Sequence, residues 1–211
     1  LSSRMAMANM GIEAGAKCAL FAPDEKTAEY LGIELTDAER ALAGDADAPC
    51  EKVLRYRAED FVPVMALPSN VDHVAAIRDL EPVAIDQVFL GSCTNGRLED
   101  LMAAAEILKG KQIAPFVKLI VTPASRKIWE EAEANGTLAT LSAAGAMITH
   151  PSCGLCCGRT GGILSDGERV VATNNRNFLG RMGSSKVEIY LASPKSAAAS
   201  ALTGKLTEAA C

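Results

Sequence analysis

From residue 84 onward, short apolar runs alternate with helix-forming segments, and this alternation constrains the fold more than any other feature. The run QVFL precedes a turn and an amphipathic segment that ends near Gly110, and FVKLIVT precedes a helix predicted over 125–135. Two further strands are predicted in ERVVAT and KVEIYL, with a final helix over 196–208. Strands that alternate with helices build a sheet covered by helices. The sequence therefore predicts an α/β fold of the three-layer α/β/α type.

The first part of the chain is less regular. A helix is predicted over 4–17, a short buried strand in CALFAPDE and an exposed helix over 24–43. A loop should follow, and then one or two strands over 52–67. We expect a domain boundary near residue 83, which separates residues 1–83 from 84–211. Because the chain opens on an uncapped helix at Leu1, we also expect it to be a piece of a longer protein.

Charge and cysteine usage narrow the class of protein. The 211 residues carry a net charge of −5, which argues against a nucleic-acid partner. No apolar run approaches the roughly 20 residues needed to span a bilayer, so no membrane partner is expected. The seven cysteines are an odd, scattered set, which is typical of a reducing compartment and favours the cytoplasm. Residues 150–186 contain five Lys or Arg, which suits either a small anionic ligand or an ordinary solvated loop.

Three cysteines lie within five positions of the stretch THPSCGLCCGRTGG, at 149–162. A C-x-x-C pair such as Cys153 and Cys156 occurs in redox dithiols, zinc sites and iron–sulfur sites. Cys93 follows a predicted strand and precedes a helix that Ser92 or Thr94 is expected to cap. A structural zinc site usually needs four ligands. Three sulfurs would instead hold an iron–sulfur cubane at three corners and leave one iron open as a Lewis acid.

An anion-binding segment follows the predicted strand RVVAT. Arg176 and Arg181 lie in the Gly- and Asn-rich stretch NNRNFLGRMG. A guanidinium fork matches a carboxylate in bidentate fashion, so the pair could bind an acidic substrate. The alternative is two arginines in an exposed loop. Proximity to a three-cysteine site favours the substrate-binding interpretation.

Four stretches together resemble the aconitase superfamily: GSCTNGRLEDL, CGLCCG, NRNFLGRMG and NMGIEAGAK. Within it, the chain is most similar to the large subunits of isopropylmalate dehydratase and homoaconitase, over essentially its whole length. The resemblance implies a 4Fe–4S cluster with three cysteine ligands, Cys93, Cys153 and Cys156, and one open iron. It implies that Arg176 and Arg181 hold the carboxylates of a hydroxy-dicarboxylate substrate.

The resemblance also implies roles for smaller polar residues. Glu13 would act in catalysis by contacting the iron-bound hydroxyl or water. On the residues alone it is a helix carboxylate that shares a face with Asn9. The expected surroundings of the cluster are Asn9, Ser92, Thr94, Asn95 and Asn175.

The chain departs from the family pattern at several cysteine-site positions. Leu155 stands where the family often has proline, and Cys157 is an additional thiol. We interpret Cys157 as a small packing residue; the alternatives are competition for iron or pairing with Cys156 on oxidation. The remaining cysteines are expected to be bystanders, namely Cys18, Cys50 and Cys211.

The implied reaction is a dehydration and rehydration that interconverts 2- and 3-isopropylmalate in leucine biosynthesis. Homocitrate or homoaconitate, or another hydroxy acid, is the alternative substrate. By resemblance, residues 1–83 end the middle domain of the enzyme and 84–211 form its cluster-binding domain. A preceding domain, and a swivelling small subunit with a serine base, match no part of this sequence, so the chain alone should be inactive. An electron carrier would favour four cysteine ligands, and an RNA-binding regulator would need a basic surface.

Overall fold

The structure is a computed structural model that describes residues 1–209, so Cys211 lies outside the described residues. The chain forms two compact units, residues 1–62 and residues 63–211. The fold is α/β, as predicted, with a seven-stranded sheet in the second unit. No helix in the described part of the chain is long and apolar enough to cross a bilayer.

The first unit consists of short helices joined by irregular segments. Helix formation near the start is confirmed, but the strand predicted in CALFAPDE is wrong, because this segment pairs with no strand. Its Asp24 instead accepts a hydrogen bond from the Thr27 amide at 3.2 Å, which caps a helix, and pairs with Arg4 at 2.6 Å. The helix predicted over 24–43 is divided, since Thr36 caps a second helix. The helices are α1 (Ser2–Met10), α2 (Glu25–Leu31) and α3 (Asp37–Arg40).

The second unit confirms the predicted alternation. Its strands are β1 (Val64–Ala66), β2 (Val74–Ala76), β3 (Gln87–Gly91), β4 (Lys118–Thr122), β5 (Met147–Ile148), β6 (Arg169–Ala172) and β7 (Glu188–Leu191). Its helices are α4 (Ser92–Asn95), α5 (Leu98–Leu108), α6 (Arg126–Ala134), α7 (Thr137–Ala143) and α8 (Pro194–Thr203).

Strand order places one crevice at the carboxyl ends of the central strands. The order is β2-β1-β7-β6-β3-β4-β5, and the strands from β7 to β5 are mutually parallel. From β3 the chain runs outward through β4 and β5 and then returns to place β6 on the other side of β3. Loops diverge at such a switch point and leave a ligand-binding crevice. Because β1 and β2 join this sheet, the units divide at Val62–Pro63, upstream of residue 83.

The core of the second unit lies on both faces of the sheet. On one face Val88 and Leu90 pack with α5 and α8 through residues such as Leu101 and Ala201. On the other face the alternate side chains, Phe89 among them, pack against the irregular chain between β5 and β7. The second face therefore supports the loop that carries the C-x-x-C motif.

Candidate functional site

The turn after β3 presents Cys93 to solvent. Ser92 is fully buried with a φ of 88°, which is unusual for a residue other than glycine, and its hydroxyl has no hydrogen-bond partner among the described residues. The expectation that Ser92 or Thr94 caps the following helix is wrong. The N-cap residue of α5 is Arg97, whose amide donates to the Asp100 carboxylate at 3.0 Å. Because two residues separate α4 from α5, the N-cap of α5 lies downstream of Ser92 and Thr94.

Hydrogen bonds join this turn to the turn after β6. The Gly91 amide donates to the Thr173 hydroxyl at 2.8 Å. The Asn95 side chain donates to the Thr173 carbonyl at 2.5 Å and to the Asn175 side chain at 2.6 Å. The structure thus brings together Asn95 and Asn175, two residues expected around the cluster. Both turns lie at the switch point between β3 and β6.

The C-x-x-C motif forms a 3-10 turn over Gly154–Cys157, directly after Cys153. The Gly154 amide donates to the Ser152 hydroxyl at 3.0 Å, which closes the start of the turn. Leu155 is fully buried in the core on the Phe89 face. Leu155 therefore anchors the turn by burial of its side chain.

The thiols of Cys93 and Cys153 approach one another from these two turns. The Cys93 thiol is the main cause of a raised pKa at Cys153, followed by burial and the Cys157 thiol, while Arg181 opposes the shift. Cys93 and Cys153 are exposed, and Cys157 is half-buried with its thiol 3.7 Å from the Gly154 carbonyl. The Cys93 and Cys157 thiols therefore both lie within electrostatic range of Cys153.

Arg181 contacts the same turn. Its Nε donates to the Cys156 carbonyl, and its Nη2 lies 3.6 Å from the Cys156 sulfur. Its guanidinium also lies 5.2 Å from the centre of the Phe178 ring, in cation–π range. The structure thus brings Arg181, expected to bind substrate, against an expected cluster ligand.

The basic character of residues 150–186 is partly neutralised by local ion pairs. Arg169 pairs with Glu188 at 2.9 Å and Lys186 with Asp166 at 2.6 Å. Arg176 follows β6, where its carbonyl accepts a hydrogen bond from the Asn174 side chain at 2.8 Å. Arg181, which contacts the C-x-x-C turn, and Arg97, which contacts the Cys93 carbonyl, place positive charge at the crevice.

Two predicted site residues belong to the first unit. Glu13 is exposed in a 3-10 turn over Gly11–Ala14, and Asn9 lies in α1. Their placement around a cluster stays a prediction.

No group of three or more Cys, His, Asp or Glu side chains within residues 1–209 is arranged to hold a metal ion. The structure brings Cys93 and Cys153 together, while the buried Cys156 sulfur contacts Arg181. The donors nevertheless fit an iron–sulfur group in chemistry. Soft thiols converge from two turns at a switch-point crevice, and the unpartnered Ser92 hydroxyl adjoins one of them.

The sequence prediction missed Arg97, Thr173 and Phe178. Arg97 and Asp100 stand at N-cap and N3 spacing directly after the GSCTN motif, and this spacing was the available signal. The roles of Thr173 and Phe178 depend on contacts between separate turns, so the local pattern contained no signal for them.

Residues 1–204 match the aconitase family (aconitate hydratase), and the chain belongs to that family. Family membership implies a 4Fe–4S cofactor.

Curated relatives of the chain include large subunits of 3-isopropylmalate dehydratase and of homoaconitase. The chain is 48% identical over 99% of its length to 3-isopropylmalate dehydratase large subunit 1 of Methanopyrus kandleri. It is 46% identical over 98% of its length to the 3-isopropylmalate dehydratase large subunit of Moorella thermoacetica. It is 47% identical over 97% of its length to the homoaconitase large subunit of Thermus thermophilus. The chain spans 50%, 49% and 48% of these three relatives, about half their length.

Proposed function

We propose that this chain is the cluster-binding part of a hydro-lyase, the large subunit of a 3-isopropylmalate dehydratase. The enzyme would interconvert 2- and 3-isopropylmalate by dehydration and rehydration in leucine biosynthesis. The observation that carries the proposal is the approach of the Cys93 and Cys153 thiols beside Arg181, at the switch point of the sheet. The names of its relatives support the choice of reaction.

Cys93, Cys153 and Cys156 would hold a 4Fe–4S cluster at three of its irons. Thiolates are the protein ligands of such clusters. Cys93 lies in α4, and Cys153 directly precedes the 3-10 turn that contains Cys156 and is anchored in the core by Leu155. When bound, a cluster with one open iron supplies a Lewis acid for a hydroxyl leaving group. Ser92, Thr94 and Asn95 would shape the ligand turn, and Asn9 and Asn175 would hydrogen-bond around the cluster.

Arg181 and Arg176 would bind the substrate carboxylates. Arg181 is already oriented by its hydrogen bond to the Cys156 carbonyl and by the Phe178 ring. A preorganised guanidinium offsets negative charge that develops on the substrate during dehydration. Glu13 would contact the departing hydroxyl or water and exchange a proton with it.

The chain requires partners for turnover in this proposal. A separate small subunit would swivel over the crevice and supply the serine base, since the relatives are named as large subunits. Residues 1–83 would complete a middle domain, and 84–211 would form the cluster-binding domain. A preceding domain would provide further catalytic residues, and we propose the cytoplasm as the compartment.

A homoaconitase is the alternative, because one relative with that name is 47% identical. Assay of the complete large and small subunits with 2-isopropylmalate and with homoaconitate separates the two. If the enzyme turned over homoaconitate but not 2-isopropylmalate, the assignment would change from isopropylmalate dehydratase to homoaconitase. The assignment to the hydro-lyases would stand.

The first test is anaerobic reconstitution of the chain with iron and sulfide, followed by metal counting and EPR after mild oxidation. We expect a three-iron signal that is lost in Cys93→Ala and retained in Cys50→Ala, an exposed cysteine of the first unit. A signal that persists in Cys93→Ala would contradict the ligand assignment. In the complete enzyme, an EPR spectrum that does not change when 2-isopropylmalate is added would favour an electron carrier over a hydro-lyase.

A further inference from the structure

The carbonyl groups of α4 need partners from outside the helix. A helix of four residues leaves its carbonyls without intrahelical donors, because no further turn follows. The Arg97 guanidinium meets two of them: Nη2 donates to the Cys93 carbonyl at 3.3 Å, and Nε donates to the Thr94 carbonyl at 3.4 Å. One planar side chain thus binds two consecutive carbonyls of the turn that presents Cys93.

The backbone of Arg97 is held independently of its side chain. Its amide donates to the Asp100 carboxylate at 3.0 Å, and its carbonyl accepts from the Leu101 amide at 3.1 Å. Leu101 is fully buried in the core against α8 and the sheet. Arg97 is therefore fixed to the first turn of α5 while its side chain reaches back to α4.

The turn that Arg97 binds is strained. Ser92, immediately before Cys93, has a φ of 88° in the region that only glycine adopts readily. Such a conformation persists only where the surroundings hold it, at a cost of about 1–3 kcal/mol. Asn95 ties the turn to Thr173, directly after β6, and Arg97 ties it to α5.

We propose that Arg97 is a positioning residue for Cys93: its guanidinium clasps the Cys93 and Thr94 carbonyls and so fixes the direction of the Cys93 thiol. The role toward an iron–sulfur cluster rests on the function proposed above. The guanidinium also places a positive charge beside the turn that presents Cys93. Loss of the clasp should let the turn relax and weaken the hold of Cys93 on iron.

The test compares Arg97→Gln and Arg97→Lys with Arg126→Gln, an arginine of α6 whose side chain is 90% exposed and paired with Glu130. Hydrogen exchange of the peptide that covers residues 92–97 is measured first, on the cluster-free chain. We expect about tenfold faster exchange in Arg97→Gln, because two hydrogen bonds are lost. Arg97→Lys, which keeps the charge but reaches a single carbonyl, should be intermediate, and Arg126→Gln should equal the wild type.

Iron release to a chelator from reconstituted protein, followed by EPR, is the second readout. Arg97→Gln should lose iron about tenfold faster than wild type at unchanged global unfolding free energy. The proposal would be overturned if residues 92–97 of Arg97→Gln exchanged hydrogen at the same rate as in the wild type. It would also be overturned if Arg126→Gln accelerated this exchange as much as Arg97→Gln does. If Arg97→Gln does not fold, Arg97→Lys decides by the same two measurements. If wild type binds no cluster, the cofactor proposal fails, while the exchange measurement still decides the role of Arg97.

Discussion

At the residue scale, the crevice is organised by backbone carbonyls as much as by thiols. Arg181 binds the carbonyl of Cys156, and Arg97 binds that of Cys93. Two of the three expected cluster ligands, Cys93 and Cys156, thus have a backbone carbonyl that is bound by an arginine.

Asp100 gives the second unit a distinct pH dependence. Burial raises the pKa of this carboxyl to about 6, against the opposing hydrogen bond from the Arg97 amide. A raised carboxyl pKa means that the folded state binds the proton more tightly than the unfolded state. Stability therefore falls as the pH rises from about 4 to about 6 and stays lower above that window.

We predict that Asp100→Asn removes the fall in stability that accompanies ionisation of Asp100. Asparagine keeps an acceptor for the Arg97 amide but carries no buried charge, so unfolding free energy at pH 7.5 should rise by about 1 kcal/mol, discounted for partial hydration. Urea unfolding at pH 4 and pH 7.5 measures the effect, and at pH 4 the variant and wild type should converge. An equal difference at both pH values would contradict the titration of Asp100.

Gly91, the last residue of β3, is required by both conformation and space. Its φ is 121°, and a Cβ atom there would collide with the Thr122 carbonyl on β4. We predict that Gly91→Ala destabilises the fold by about 3 kcal/mol or more. Gly110→Ala is the matched control, since Gly110 has a φ of 71° but open space around it, and should cost about 1 kcal/mol. Denaturant unfolding of both variants separates the cost of the steric clash from the cost of a positive φ in a residue with a side chain.

At the element scale, α5 links the core to the ligand turn. Its Leu101 is 0% exposed, whereas the adjacent Met102 is 49% exposed. We predict that Leu101→Ala lowers the unfolding free energy by about 2–5 kcal/mol, because it leaves a cavity under the sheet. Met102→Ala should change it by about 0.5 kcal/mol or less. Chemical denaturation checks both, and equal losses would mean that α5 packs through a different face.

The sheet connects these elements into a site. Parallel neighbours β3 and β6 end side by side, so the turns that follow them meet through Thr173 and Asn95. The 3-10 turn of the C-x-x-C motif reaches the same crevice because Leu155 is buried on the Phe89 face. Each contribution to the site thus depends on an element anchored in the core.

At the scale of the whole molecule, the two units differ in how they are stabilised. None of residues 1–62 is buried, whereas residues 63–211 contain the core on both faces of the sheet. A domain with its own core can unfold cooperatively by itself.

We predict that residues 63–211, expressed alone, unfold in one cooperative transition, because burial of apolar surface is the main stabilising contribution. Residues 1–62 alone should show no cooperative transition. Thermal melts followed by circular dichroism test both segments. Non-cooperative melting of 63–211 would show that its core depends on the first unit.

Much of the second unit was predictable from local patterns. The apolar runs of β3 and β4 and the amphipathic helix α5 follow from periodicity and from stop signals such as Gly110. The same reasoning failed in the CALFAPDE segment, because an apolar run becomes a strand only where a neighbouring strand can pair with it. It also misplaced the helix cap, since GSCTN forms a separate turn before Arg97.

By itself, the sequence determined the α/β class, the positions of the cysteines at strand ends and the family to which the chain belongs. These follow from local periodicity and motif spacing, which depend on residues close together in the chain. Only the tertiary structure decided that β6 returns beside β3, that Cys93 meets Cys153 and that the Cys156 sulfur faces Arg181. Which strands become neighbours and which side chains touch depends on how much apolar surface the whole sheet buries. That burial depends on residues that are far apart in the chain.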